Sequence, residues 1–225
     1  MKKLIISTLK TFLIGAVVLG ILLFLPAWTL RYWQAWVFIL VFQTAVNAIG
    51  LYLSLKDPAL LEKRKKVGPA SETSPTQKII MSLAMVGITT LLVICALSVR
   101  FGWSYVPWVI SIMGDILVAL GLFINFLVFK ENSFGGASIE TYEDQKVITS
   151  GLYAHIRHPM YAGVLVMMVG VPMALGSYWG LVILAAILTG LVWRILDEEK
   201  FLKNNLQGYS EYMQKVHYRL IPKLW

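Results

Sequence analysis

Residues Gly151-Leu152-Tyr153-Ala154-His155-Ile156-Arg157-His158-Pro159-Met160-Tyr161-Ala162-Gly163 hold two of the chain's three histidines, an arginine and two tyrosines, at the point where a polar loop runs into an apolar segment. Pro159 suits the first position of a helix: its φ is already set, and the N–H it lacks would have had no partner there. His158 precedes a proline, which pushes it toward extended geometry, so it is expected to mark the helix start. His155, Arg157, His158 and Tyr161 are then expected to cluster at a helix N-terminus, where amide groups and the helix dipole favour an anion. The competing reading is an interfacial anchor, because aromatic and cationic residues are common where a membrane helix begins.

A second constellation lies in Val192-Trp193-Arg194-Ile195-Leu196-Asp197-Glu198-Glu199-Lys200-Phe201-Leu202. Arg194 and Glu198 are four apart and share a helix face. An ionisable group at a membrane boundary is costly and is by default a functional candidate. The structural alternative is that Arg194 snorkels and pairs with Glu198 at the lip. Further on, Leu202, Leu206, Tyr209, Tyr212, Met213 and Val216 recur at roughly helical spacing. They are expected to form an amphipathic interfacial helix folding back over the mouth of the helix begun at Pro159. His217 is read as an interface residue, not a ligand.

The elements that must position these residues are membrane helices. Of the 225 residues, 58% are apolar and 14% charged, and the mean hydropathy is +0.71. Six apolar segments are read, at about 4–27, 33–55, 79–99, 105–129, 159–176 and 178–196, each near the roughly 20 residues that cross a bilayer as a helix. The fold class is therefore all-α: a polytopic membrane bundle with a cytosolic C-terminal amphipathic helix. Residues 1–129 form an N-terminal four-helix region. Residues 130–225 form the core that carries both constellations, with 159–176 and 178–196 as a hairpin.

The net charge of +8 points to membrane orientation and not to nucleic acid, because the cations flank apolar runs. With both termini cytoplasmic, 18 of the 20 basic residues fall inside and only Arg31 and Arg100 outside. The N-terminal Met1-Lys2-Lys3 and the apolar run after it are read as a retained first membrane helix, since no small-residue cleavage site follows. The single cysteine, Cys95, excludes an internal disulfide and a cysteine-based zinc site.

Taken together, Gln145 to Tyr153, Arg157 to Gly163, Arg194, Glu198-Glu199, Leu202, Gly208-Tyr209 and Tyr212 resemble the isoprenylcysteine carboxyl methyltransferase family, whose wider group includes membrane phospholipid N-methyltransferases. The resemblance covers roughly the last third of the chain; the first four segments match only in being apolar. It implies S-adenosyl-L-methionine held at the cytosolic membrane face. The implied cofactor-binding positions are Gln145, Lys146, Val147, Ile148, Tyr153, His158, Pro159, Met160, Tyr161 and Glu198. Arg194 is implied to face the methyl acceptor, a lipophilic small molecule or lipidated substrate. Gln145 departs from the histidine that prenylcysteine enzymes often carry there, and Leu152 from the proline of many bacterial relatives.

The chemistry agrees with this resemblance. Methyl transfer from a sulfonium is an in-line displacement in which the protein supplies orientation and electrostatics, so no Ser/His/Asp or Cys/His arrangement is required. A carboxylate acceptor is already ionised at neutral pH. It needs only a cation, and Arg194 offers a planar fork. An amine acceptor would first have to lose a proton, which favours the carboxylate over phospholipid N-methylation. No G-x-G-x-x-G marks a soluble-type nucleotide site. His155 and His158 form an H-x-x-H, but further metal ligands are lacking, so no metal is expected. The alternative from another class is an NADPH-dependent sterol-type reductase, which resembles this chain in Arg194, Asp197-Glu198, Gly208, Tyr212, Arg219 and Pro222. A non-enzymatic membrane protein is the remaining reading; Asp115, an isolated acid in the fourth segment, is a candidate relay group under it, and is otherwise expected to face a helix partner or the active-site cavity.

Overall fold

The computed structural model describes residues 2–225, and side chains from Lys10 onward. The signal-like Met1 and the Lys2 and Lys3 charges counted for orientation lie outside the described residues and side chains. The described residues form helices and no strands: α1 (Lys2–Ala27), α2 (Trp33–Lys56), α3 (Pro58–Lys65), α4 (Pro75–Phe101), α5 (Trp108–Glu131), α6 (Pro159–Ala174), α7 (Trp179–Asn205) and α8 (Tyr209–Lys215), with one-turn 3₁₀ helices at Pro69–Ser71 and Gly151–Ala154. Prolines at 58, 75 and 159 start helices, as their fixed φ allows. Asp57 caps α3 by accepting from the Leu60 amide at 2.9 Å.

Among the described residues, five helices (α1, α2, α4, α5 and α7) are long and apolar enough to cross a membrane. The sixth expected segment, α6, is apolar but ends at Ala174. Its 16 residues span about 24 Å at 1.5 Å per residue, against roughly 30 Å of bilayer hydrocarbon. Leu13, Val17, Leu40, Leu83, Ile116 and Val182 are exposed on these helices, as lipid-facing positions are in a membrane bundle. Trp28, Trp103, Trp108, Tyr178 and Trp179 are also exposed. They all fall in or beside the turns α1–α2, α4–α5 and α6–α7, so they gather at one end of the bundle as an interfacial belt does. The opposite end receives the loop of residues 132–158, α3 and the tail.

The expected α6–α7 hairpin is present, yet the main partner of α6 is α5, while α7 packs mainly on α4. Glycines make the α5–α6 approach possible. A Cβ on Gly114 would sit 2.2 Å from the Ala174 backbone N, one on Gly121 2.5 Å from Gly163 O, and one on Gly170 2.6 Å from Gly114 O. Two glycines per helix, seven residues apart, thus let the backbones touch, the small-residue packing that membrane interiors favour. Asp115 is buried on α5 with both oxygens unpartnered among the described residues. It lies about 24 Å along the helix from Glu131, counting 1.5 Å per residue, far from the end that carries the site.

The expected C-terminal helix is corrected. α7 runs on to Asn205, the chain turns at Gly208 with φ +83, and only Tyr209–Lys215 is helical again. That φ lies in the left-handed region, which glycine reaches without strain. The apolar set was nevertheless read correctly: Leu202, Leu206, Tyr209, Tyr212, Met213 and Val216 pack together, with Val147 added from the loop.

Candidate active site

His158 is the residue before α6, at φ −123 and ψ 62, and Pro159 opens the helix. The extended chain here pairs with the tail: the Arg157 amide donates to Tyr218 O and the His158 amide to Arg219 O, both at 2.9 Å. The tail therefore docks on the loop before α6. Tyr212 reinforces this docking from α8, donating its hydroxyl to Tyr153 O at 2.7 Å.

The expected anion site at the start of α6 is already filled by the protein. Glu199, buried on α7, accepts from Arg157 Nε at 2.7 Å and Arg219 Nε at 2.8 Å, and lies 3.3 Å from His158 Nε2. Arg157 also donates to Val216 O and His217 O. His155 is exposed and takes no part in this group. Glu199 carries no sequence signal for this role, because nothing in the sequence says which of two adjacent acids turns inward.

Glu198, one residue earlier and about 100° round the helix, serves a different network. Its Oε2 accepts from the Tyr161 hydroxyl at 2.6 Å, and the same hydroxyl accepts from Arg194 Nε at 3.0 Å. The expected direct Arg194–Glu198 pair is thus a relay through Tyr161. The Arg194 fork is also not open. Nη1 donates to Gln77 Oε1 at 2.8 Å, and Nη2 donates to Glu72 Oε1 at 2.9 Å and Ala137 O at 3.0 Å. Glu72 in turn accepts from the Ile139 amide at 3.1 Å. Gln77, on α4, is itself bonded to Asp197.

Between these networks lies a cleft of about 750 Å³, counting the space open to solvent. It brings together Gln145, Val147, Ile148, Tyr153, His158, Pro159, Met160, Tyr161 and Glu198, every cofactor position implied by the resemblance except Lys146, which is exposed on the loop. Arg194 is not on the wall and stands behind Tyr161. The cleft also draws on residues the sequence did not mark, Asn132, Phe134 and Glu140, and on Leu202 and Leu206 of the apolar tail set. Gln145 lines the wall while its Oε1 accepts from the Tyr142 amide at 3.1 Å.

The wall has the chemistry of an amphipathic ligand site. Val147, Ile148, Met160, Leu202 and Leu206 are apolar. Tyr209 presents a buried hydroxyl with no partner among the described residues. Tyr153 accepts from Asn132 Nδ2 at 2.9 Å, which leaves its own proton free. Burial pushes the Tyr153 phenol up to about 12, so that proton is retained at neutral pH. Glu198 Oε1 has no hydrogen bond among the described residues and offers an acceptor for amino or hydroxyl groups. No group of three or more histidine, cysteine or acidic residues with metal-binding geometry occurs among the described residues.

Residues 109–208 match the phospholipid methyltransferase family, a stretch that runs from α5 through α7 and holds both constellations. The probable protein-S-isoprenylcysteine O-methyltransferases of Oryza sativa subsp. indica and subsp. japonica are each 35% identical over 115 residues, covering 49% of this chain and 60% of theirs. The protein-S-isoprenylcysteine O-methyltransferase of Schizosaccharomyces pombe is 32% identical over 76 residues, 33% of this chain and 32% of its own. The chain thus spans less than two thirds of the length of these relatives, and α1 to α4 lie outside the family match. Over residues 109–208 the chain is thus similar to the phospholipid methyltransferase family, and over part of its length to protein-S-isoprenylcysteine O-methyltransferases.

Proposed function

We propose that the protein is an S-adenosyl-L-methionine-dependent membrane methyltransferase acting on a lipophilic acceptor, and that the transfer is to a carboxylate oxygen. The observation that carries this reading is Glu198: an ionisable side chain fixed by Tyr161 on the wall of an amphipathic cleft, with one oxygen free. Glu198, Tyr153 and Tyr209 would hold the amino and hydroxyl groups of the cofactor, and Val147, Ile148 and Met160 its apolar parts. When bound, the cofactor supplies a methyl group on a sulfonium, which leaves as a neutral thioether when the methyl–oxygen bond forms, with no proton to move. The chain's own residues therefore orient and exclude water. Arg194, with its fork engaged by Glu72 and Gln77, acts here as a positioning residue for Tyr161 and Glu198.

The site would face the cytosol, with both termini on that side and the aromatic belt on the other. Residues 130–225 would supply the cofactor cleft, and residues 1–129 would supply helices around the acceptor path. Phospholipid N-methylation is the second reading, favoured by the description of the family matched and by a second carboxylate on the wall, Glu140, which could take a proton from an amine. An NADPH site fits less well. Arg157, the arginine on the cleft wall, is buried against Glu199 and is not free for a phosphate.

The test is calorimetry on purified protein in detergent, titrating S-adenosylhomocysteine and NADPH separately. Binding of the first alone, lost in Glu198→Ala, is expected. Binding of NADPH alone would overturn the reading. Supplying long-chain carboxylates or phospholipid amines with the methyl donor then separates O- from N-transfer.

A further inference from the structure

The charge run Glu62-Lys63-Arg64-Lys65-Lys66 reads in sequence as a solvated loop, but Arg64 does not behave as a loop cation. It sits on α3, half-buried, and its Nη1 donates to Gly136 O at 2.8 Å and to Met160 Sδ at 3.2 Å. Its guanidinium lies over the Phe129 ring, 4.7 Å from the centroid. No carboxylate pairs with it among the described residues, and its Nε and Nη2 make no hydrogen bond there. Its neighbour Lys63 reaches Ser133 O and lies over the Tyr142 ring, and Lys65 pairs with Glu62. Burial lowers the Arg64 guanidinium from its ordinary value, and the charge of Arg194 adds to this. A desolvated cation satisfied only by carbonyls, a thioether and a ring is costly unless an anion completes it.

Arg64 also stands at a junction. It lines an apolar cavity of about 800 Å³, counting space open to the surroundings, between α2, α5 and α6, walled by Phe42, Val46, Leu53, Leu122 and Met167. The one other polar side chain on that wall, Asn125, donates to Gly121 O at 3.0 Å. Through Gly136 and Met160, both of which line the cleft, Arg64 touches the back of the proposed cofactor site. Arg194 cannot serve the same purpose without expelling Glu72, which is itself buried and held by the Ile139 amide.

We propose that Arg64 is the anion-recognition residue for the acceptor: the hydrocarbon chain of a lipophilic carboxylate occupies the α2–α5–α6 cavity, and its carboxylate pairs with the Arg64 guanidinium beside Met160. This rests on the methyltransferase reading for the identity of the acceptor, though not for the binding itself. Arginine suits the task because its planar fork meets a carboxylate bidentately. The attraction between the two charges is screened little in an apolar surrounding.

The experiment is equilibrium binding of radiolabelled N-acetyl-S-farnesylcysteine and of its methyl ester to purified protein in nanodiscs of zwitterionic lipid, alongside calorimetry with S-adenosylhomocysteine. The wild-type protein is expected to bind the acid at least ten-fold more tightly than the ester. Arg64→Gln is expected to weaken the acid ten-fold or more, leave the ester and S-adenosylhomocysteine within two-fold, and so abolish the discrimination. Arg64→Lys is expected to keep a discrimination of a few fold. Gly50→Leu, on the cavity wall where an added Cβ meets nothing within 4 Å, is expected to weaken acid and ester alike. An Arg64→Gln protein that still prefers the acid ten-fold, or that loses acid and ester equally, overturns the proposal. A wild-type protein that distinguishes acid from ester but binds no S-adenosylhomocysteine would sink the methyltransferase reading and leave the Arg64 site standing.

Discussion

Arg194 Nη2 lies 2.9 Å from Glu72 Oε1, and this pair ties α7 to the segment before α4 across 122 positions of sequence. Both side chains are nearly inaccessible, 10% and 2% exposed, so the charges are a buried pair and not a surface one. Removing one partner of such a pair strands the other in low dielectric and typically costs about 3–5 kcal/mol, whereas replacing both can be close to neutral. Glu72→Ala is therefore expected to lower the thermal midpoint in detergent more than Glu72→Ala/Arg194→Met does. A double mutant whose loss equals the sum of the single losses would show that the two side chains are not coupled.

Glu199 makes a graded prediction. It holds two arginines, but the Arg157 side chain is 5% exposed and that of Arg219 29%. Solvent screens the second pair more strongly. Arg157 also carries two carbonyls of the tail, Val216 O and His217 O. Arg157→Ala is expected to destabilise by about 3 kcal/mol or more and Arg219→Ala by about 1 kcal/mol, with Glu199→Ala at least as damaging as the first. Limited proteolysis reads the same effect locally: loss of Arg157 should free the tail after Tyr212 before the helices unfold.

Much of this was legible beforehand, for definable reasons. Pro159 announced the start of α6 because its φ leaves few alternatives, and the apolar runs announced the long helices because a bilayer demands length and hydrophobicity together. The wall of the cleft was legible because its residues are nearly consecutive, from Gln145 to Tyr161, with Glu198 added by a recognisable pattern. What stayed hidden depends on long-range approach. Glu72 and Gln77 reach Arg194 from a loop and a helix start that carry no motif, and Arg64 looks like one cation in a solvated run. Adjacent acids 198 and 199 cannot be told apart without knowing how α7 is rotated. The break at Gly208 was missed because the apolar spacing of the tail continues through it, the contacts being made across a turn instead of along one helix.

The α5–α6 seam gives a test that does not involve the site. Gly114 and Gly190 are both helical glycines, and propensity alone favours alanine at each by roughly 0.5–1 kcal/mol. Their surroundings differ: a Cβ on Gly114 would lie 2.2 Å from the Ala174 backbone N, while one on Gly190 meets nothing within 4 Å. Backbone cannot swing aside as a side-chain tip can, so overpacking at Gly114 should cost about 1–3 kcal/mol or more. Gly114→Ala is expected to lower the thermal midpoint and Gly190→Ala to leave it unchanged or raise it. Equal shifts for the two would mean that α5 and α6 are not in backbone contact.

Tyr161→Phe isolates the relay between Arg194 and Glu198. Its hydroxyl accepts from Arg194 Nε at 3.0 Å and donates to Glu198 Oε2 at 2.6 Å, so one oxygen atom serves two charges, one buried and one half-buried. Removing it leaves a donor and an acceptor without partners, at a cost of about 1–3 kcal/mol, while the ring keeps its packing against Ile195 and Leu220. If Glu198 holds the methyl donor, the greater loss falls on function: a carboxylate no longer fixed by Tyr161 must be ordered at each binding event. Affinity for S-adenosylhomocysteine is expected to fall about ten-fold in Tyr161→Phe, since one such interaction is worth about 1.4 kcal/mol. It should be unchanged in Tyr178→Phe, at the opposite end of the bundle. Calorimetry on the two variants decides the matter, and a Tyr161→Phe protein that binds as the wild type does would show that the hydroxyl serves the fold and not the cleft.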